Sequence, residues 1–339
     1  MKICVISTTV LHCPPAGYSG LEMLAYQQAE GLSKKGHQVL LVAPVGSTPP
    51  AGVELHGTTL GESEKAAYSG YGQRLPNFDV IIDNSWQKFS YLMKMEGKLP
   101  IPILGVLHAP CNTMYGVPPP VPKPCFVAIS EDQAAHGKEC WKIEVKTVHN
   151  GINMDFYKPN GTVRTDRYLF LARMSRIKGP HLALEVARRC GVPLDLVGDD
   201  RITGEPELAK SIKENSTGNI VYHGGVSRSK CVEFFNAGKA LLHMNMEFRE
   251  PFGLAPVEAQ STGCPVIAFD NGAMRETIRH GETGFLVKSM DEVENLIKSN
   301  AVLKINPQKC REWAATFTIE KMVDKYEALC NEAIKTGGW

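Results

Sequence analysis

The sequence carries almost no net charge, no long apolar run and no paired cysteines. Formal net charge is +1 with neutral histidines, which gives no electrostatic case for nucleic acid as the main partner. No run of 18 apolar residues occurs, so no spanning helix is expected. Met1 leads directly into the strand-like run Ile3–Ile6, with no basic-then-apolar leader, and a cytoplasmic location is expected. The ten cysteines are scattered and none forms a Cys-x-x-Cys pair, so zinc-site spacing is missing. Cys4 and Cys125 fall inside strand-like runs, where a thiol behaves as a small apolar residue. The pattern Gly-x-Gly-x-x-Gly is absent, which counts against an NAD enzyme. No Asp-x-Asp sits in strand context, and no metal is expected.

What is present is 339 residues with 43% apolar content, enough to fill two cores of about 150–170 residues each. Short β-rich runs alternate with helix-length amphipathic stretches. The first half offers strands over Lys2–Thr8, Gln38–Ala43, Asp79–Asp83, Ile101–Leu107, Phe126–Ile129 and Val145–Val148, with a helix over Leu21–Lys35. The pattern restarts after Asn150-Gly151 with strands over Arg167–Ala172, Leu194–Val197, Ile220–Tyr222, Ala240–His243 and Pro265–Ala268. Helices are expected over His181–Arg189 and Lys230–Asn236, and a charged one over Ile319–Ile334. Apolar strands joined by helices imply parallel sheets covered on both faces. The reading is α/β, with two Rossmann-like, doubly wound domains facing a central cleft. Residues 1–158 form the first, 159–318 the second, and 319–339 a terminal helix packing back across the junction. Lys158–Gly161 has turn composition and suits the linker. Val117–Pro124, with five prolines in eight residues, reads as a stiff surface loop. Ligands of open α/β sheets bind at the carboxyl ends of the strands, so the chemistry belongs on the loops that follow them.

Four stretches carry it. After Ala240–His243 comes Glu250-Pro-Phe252-Gly253-Leu254-Ala-Pro-Val-Glu258, two glutamates separated by seven residues. Phe252-Gly253 makes a turn, and Pro256 suits the first turn of a helix. Free N–H groups and the helix dipole favour a phosphate there. An ordinary helix start with acidic neighbours fits the same residues. Second, Arg173 and Lys178 stand five apart on a loop entering a helix, with Arg176 between them. Arginine grips phosphate as a planar fork and lysine as a point charge. Third, Gly20 lies in Pro14–Glu22 just before the first helix, where glycine permits close phosphate approach. Fourth, His108 ends the strand Ile101–Leu107, where it either faces the crevice or packs as a hydrogen-bonded histidine. Gly198 and Val226 end strands in the second half and suit a base or ribose pocket through backbone contacts.

Glu250 to Glu258, with Phe-Gly after the first glutamate, resembles the signature of family 4 of the retaining glycosyltransferases, which have the GT-B fold. Ala259–Asp270, Gly272–Ile278 and Gly281–Val287 are similar to that family too, and the resemblance extends over almost the whole chain. It implies a metal-independent hexosyltransferase that needs no cofactor and uses a UDP- or GDP-linked sugar as donor. Glu250, His108, Arg173 and Lys178 inherit catalytic roles from it. Gly20, Gly198, Val226, Phe252, Gly253, Leu254 and Glu258 inherit donor binding, with Glu258 on the ribose. The family typically shows Gly-Gly-x-Glu where this chain has Ser19-Gly20-Leu-Glu22. The implied acceptor is a sugar, a lipid-linked sugar or a small molecule, bound near Cys111–Pro124. Two rivals stand beside this reading: a sugar-nucleotide epimerase of the same fold and a nucleotide-sugar binding protein without turnover. Trp86, Phe89 and Met93 recur at helical spacing with Lys88, Lys94 and Lys98 nearby. That stripe suits either a helix packed on its own sheet or peripheral contact with anionic membrane.

Overall fold

The computed structural model describes residues 1–17, 19–111, 120–199 and 205–339. Part of the proline-rich loop, most of the expected acceptor region and Tyr18 of the first glycine turn lie outside the described residues. The chain forms two units, one of residues 1–151 with 319–339 and one of residues 152–318. The division therefore falls at Gly151, and the expected linker Lys158–Gly161 lies within the second unit.

The first unit holds seven strands: β1 Lys2–Ile6, β2 Gln38–Pro44, β3 Val53–Thr58, β4 Val80–Asp83, β5 Ile103–Val106, β6 Phe126–Ala128 and β7 Val145–Thr147. Their order is β3-β2-β1-β4-β5-β6-β7, and the pairs are parallel. The inner strands β1, β4 and β5 are almost wholly buried, which is why their residues form continuous apolar runs. Edge strand β3 was not expected. Glu54 and His56 interrupt it and only Val53 and Thr58 are buried, so its half-solvated pattern lacks that signature. Helix α1, Leu21–Lys34, connects β1 to β2, and α2, Glu131–Trp141, precedes β7.

The second unit holds β8 Tyr168–Leu171, β9 Leu194–Val197, β10 Ile220–Gly224, β11 Leu241–His243, β12 Val266–Phe269 and β13 Gly284–Val287. The order is β10-β9-β8-β11-β12-β13, again all parallel. Between these strands run α3 Pro180–Cys190, α4 Arg228–Ala237 and α5 Leu254–Ser261. The core under α3 joins Tyr168, Phe170, Ala183, Leu194, Leu196 and Ile267. Both sheets follow the doubly wound pattern, in which the strand order reverses between the first and fourth strands and leaves a crevice at their carboxyl ends. That switch point lies between β1 and β4 in the first unit and between β8 and β11 in the second.

The last helix, α6 Ile319–Thr336, packs on α1 of the first unit. Gly31 makes this possible, because a Cβ there would lie 2.4 Å from Val323. Lys35 reaches Asp324 and Glu327, and His37 meets Glu327. All ten cysteines are free and eight are buried. No helix among the described residues is long and apolar enough to cross a membrane.

Candidate active site

At the carboxyl edge of the second sheet, β8 leads into the loop carrying Arg173 and Lys178, and β11 leads into the loop carrying Glu250. Because β8 and β11 are neighbours, the two loops meet. Lys178 Nζ lies 2.6 Å from Glu250 Oε2. Asn245 Nδ2 donates to the same oxygen at 2.8 Å, and His243 Nε2 stands 3.5 Å away, too far for a hydrogen bond but close enough for electrostatic contact. All three groups converge on Oε2. Oε1 accepts no hydrogen bond among the described residues. Burial alone would raise the Glu250 carboxyl, but Lys178 and His243 outweigh it and hold it down at about 2. Glu250 is therefore a buried carboxylate that stays charged, with one oxygen committed and one available.

The Glu250 loop also packs against the loop after β12, which has a backbone requirement. Gly272 adopts φ +62, and a Cβ there would sit 2.3 Å from the Glu250 carbonyl oxygen. Only glycine fits, and it lets the Ala273 amide donate to that carbonyl at 2.9 Å. Lys178 also lies over the Phe248 ring, 5.1 Å from its centroid. Arg173 is exposed, and its guanidinium makes no ion pair among the described residues. Arg176 is exposed too.

Helix α5 begins after Gly253, which takes a left-handed φ of +82. The amides of Leu254 and Ala255 have no acceptor inside the helix, so its N-terminus presents N–H groups and the positive end of the dipole. Phe252 is fully buried against Phe317, so only its backbone can serve a ligand. Glu258 lies one turn inside α5 and is buried. Arg228, at the start of α4, stands 3.8 Å from its carboxylate and donates to the Tyr157 hydroxyl at 2.8 Å. Burial and then the Glu258 charge push that hydroxyl well above its usual range. Gly198 follows β9 with both backbone groups engaged, its N–H on Gly224 and its carbonyl on Tyr222. Val226 is half-buried beyond β10.

The equivalent edge of the first unit is built from hydrogen bonds rather than exposed cations. Gly20 caps α1 with its carbonyl accepting from Leu24. Buried Glu22 accepts from Thr8 and Ser19, so the serine that replaces the usual first glycine is tied to the glutamate of its own motif. Beyond β5, His108 Nε2 lies 3.0 Å from Asn84 Oδ1, while Asn84 Nδ2 donates to Gln28 at 2.8 Å. That orientation makes Nε2–H the donor and leaves Nδ1 as the acceptor nitrogen. Burial, aided by the Lys88 charge, pushes the His108 imidazolium down to about 3, so the ring is neutral at physiological pH.

The structure brings Lys178 and Glu250 into contact and sets Arg173 on the same loop. Asn245, His243, Arg228 and Tyr157 escaped the sequence reading. None has a periodic or spaced relation to the glutamates that it serves. The stripe Trp86–Met93 is not one exposed face. Trp86 packs edge-on to His108, Phe89 stacks on Tyr68, and Lys88 and Met93 are buried.

Residues 158–316 match the family model for glycosyl transferases group 1, a stretch that takes in nearly all of the second unit. An uncharacterized 41.2 kDa protein in the cps region of Klebsiella pneumoniae is 30% identical over 223 residues, 60% of this chain and 60% of its own length. A D-inositol 3-phosphate glycosyltransferase of Streptomyces scabiei is 22% identical over 354 residues, 84% of this chain and 79% of its own. The chain thus spans less than two thirds of the first of these relatives. The crystal structure of Anabaena HepE in complex with UDP and glucose superposes with a TM-score of 0.78 at 17% identity, covering 98% of this chain and 100% of HepE. The architecture is the GT-B fold, two Rossmann-like domains.

Proposed function

We propose that this protein is a retaining glycosyltransferase that moves a hexose from a nucleotide diphosphate donor, UDP-linked in preference to GDP-linked, to an acceptor hydroxyl. One observation carries the reading: an exposed arginine with no ion pair among the described residues, a lysine held on a charged glutamate and an open helix N-terminus lie together at the switch point of the sheet that the family model matches. Arg173, Lys178 and the first-turn amides of α5 bind the donor diphosphate. They stabilise the negative charge that develops as the bond from the anomeric carbon to the phosphate oxygen breaks. These fixed positive groups do the work of a divalent metal, so added chelator is expected to leave turnover unchanged.

Glu250 Oε1 accepts a hydroxyl of the donor sugar. A carboxyl that stays ionised down to about pH 2 is a poor proton donor, which suits an orienting and charge-balancing role. Glu258 takes the ribose hydroxyls, with Arg228 and Tyr157 fixing its carboxylate. His108, neutral, is assigned to hydroxyls of the transferred sugar. The acceptor oxygen bonds to the anomeric carbon from the side the diphosphate leaves, and its proton passes to a diphosphate oxygen, so configuration is kept. HepE, whose structure holds UDP and glucose, supports a UDP-linked hexose as the first donor to try. The test is thermal stabilisation by UDP, GDP and UDP-glucose, followed by the anomeric configuration of the product. Stabilisation by a nucleotide diphosphate that disappears in Arg173→Ala is expected. No shift with any of the three ligands, or an inverted product, would sink the proposal.

A further inference from the structure

In the first unit one buried charge has no part in the chemistry set out above. Lys88 is 6% exposed, and its ammonium donates to three backbone carbonyls: Asp83 at 3.1 Å, Ser85 at 2.8 Å and Val106 at 2.7 Å. Asp83 closes β4, Ser85 lies in the loop beyond it, and Val106 closes β5. The residue after Asp83 is Asn84, and two residues after Val106 comes His108. Lys88 itself sits in the left-handed region at φ +50, a conformation uncommon for a residue with a side chain. We infer that Lys88 is a positioning residue for His108: its ammonium laces the loop bearing Asn84 to the strand end bearing His108, and so holds the pair that sets the His108 tautomer. The inference rests on the assignment of His108 to the transferred sugar.

The energetics favour a functional reason for keeping a charge here. Among the described residues, Asp83 from β4, Glu64 from the helix Glu64–Tyr71 and His108 beyond β5 act on the ammonium. Burial pushes the lysine down to about 8 against the partial compensation of Asp83 and Glu64. The folded chain therefore holds this proton less tightly than the unfolded chain does. The charge weakens the fold at neutral pH, and that penalty fades as pH rises from about 8 toward the ordinary lysine range. Asp83 is no simple counter-ion, because its carboxylate accepts from Ser85 and Ser90. A buried ion held this way is poor evidence of a purely stabilising role. It does give a rigid three-point tie across the carboxyl ends of β4 and β5, beside the switch point.

The test uses the full chain, with UDP release from UDP-glucose, water as acceptor, as the assay and the His108 ring nitrogen signals as an independent readout. Lys88→Met is expected to lower kcat by about tenfold or more while UDP affinity changes by less than about twofold, and to move the His108 signals. Turnover of the wild type is expected to fall as pH rises through about 8. Lys88→Arg, whose charge does not titrate there, should keep its turnover at that pH. Wild-type kcat and His108 signals in a merely less stable Lys88→Met protein would reduce Lys88 to a structural tie and overturn the inference. An alkaline limb shared by the wild type and Lys88→Arg would overturn it too. Where Lys88→Met fails to fold, the arginine variant's pH profile and ring signals decide. His108→Ala separates the two levels: if it leaves kcat intact, the assignment of His108 fails, whereas a slow His108→Ala beside an unaffected Lys88 pair sinks only this proposal.

Discussion

The carboxyl edges of the two sheets share a topology and differ in how they treat charge. In the second unit, Arg173 is exposed and makes no ion pair among the described residues, and Lys178 meets a glutamate whose other oxygen accepts no hydrogen bond among them. In the first unit, the cation that acts on His108, Lys88, is sealed among carbonyls, and the histidine is kept neutral. Strand order alone therefore decides where a ligand can sit, while side-chain burial decides what kind of group it meets. An edge with loose cations suits a diphosphate, whose charge grows during reaction. An edge with a fixed neutral ring and amides suits sugar hydroxyls, which need direction more than charge.

Mutations can break that contrast. The largest effect is expected from Glu250→Ala and Arg173→Ala, each removing about 2–4 kcal/mol of transition-state stabilisation. Arg173→Ala should also weaken UDP binding, and His108→Ala should leave UDP binding intact while lowering kcat. Equal loss of UDP affinity in both variants, measured by titration calorimetry, would erase the proposed division of labour.

Next in size is Gly272→Ala. Its Cβ would collide with the Glu250 backbone at a left-handed φ, so a loss of about 2–3 kcal/mol of stability is expected in urea unfolding, with turnover falling alongside. A smaller effect concerns pH. The Glu250 carboxyl lies at about 2, below its ordinary value of 4.5. It therefore contributes stability that is present above pH 4.5 and is lost as pH falls toward 2. Lys178→Met removes the foremost lowering influence and leaves burial, which raises the carboxyl. Acid unfolding of the variant should begin at higher pH than in the wild type; coincident acid transitions would show that Lys178 does not set the Glu250 charge. The smallest effect is expected from Glu327→Gln, which loosens the partly exposed contacts with Lys35 and His37 by under about 1 kcal/mol and leaves UDP affinity unchanged.

The buried strands were legible because β1, β4, β8 and β11 are apolar on both faces, and the periodicity of α1, α3 and α4 marked the crossovers between them. Edge strands β3 and β13 were not, since a strand only partly buried has too little apolar pattern to stand out. At the site, Glu250, Lys178 and Arg173 showed through their spacing and loop positions. Asn245 and His243 did not, because their service to Glu250 depends on how the loop after β11 turns, which no periodic spacing records. Lys88 was misread for a sharper reason. Trp86, Phe89 and Met93 have helical spacing, but the left-handed turn at Lys88 interrupts them and the helix begins only at Ser90. Its charge points inward to carbonyls rather than outward to solvent.

The return of α6 to the first unit has a consequence for biosynthesis. As the chain leaves the ribosome, the strands of the first sheet precede residues 152–318, yet the helix that covers α1 is made after them. Residues 152–318 are contiguous and can collapse on their own while the earlier sheet still waits with part of its apolar surface bare. The first unit is thus begun before the second and completed after it, and a ribosome that stops before Ile319 leaves that unit without its covering helix.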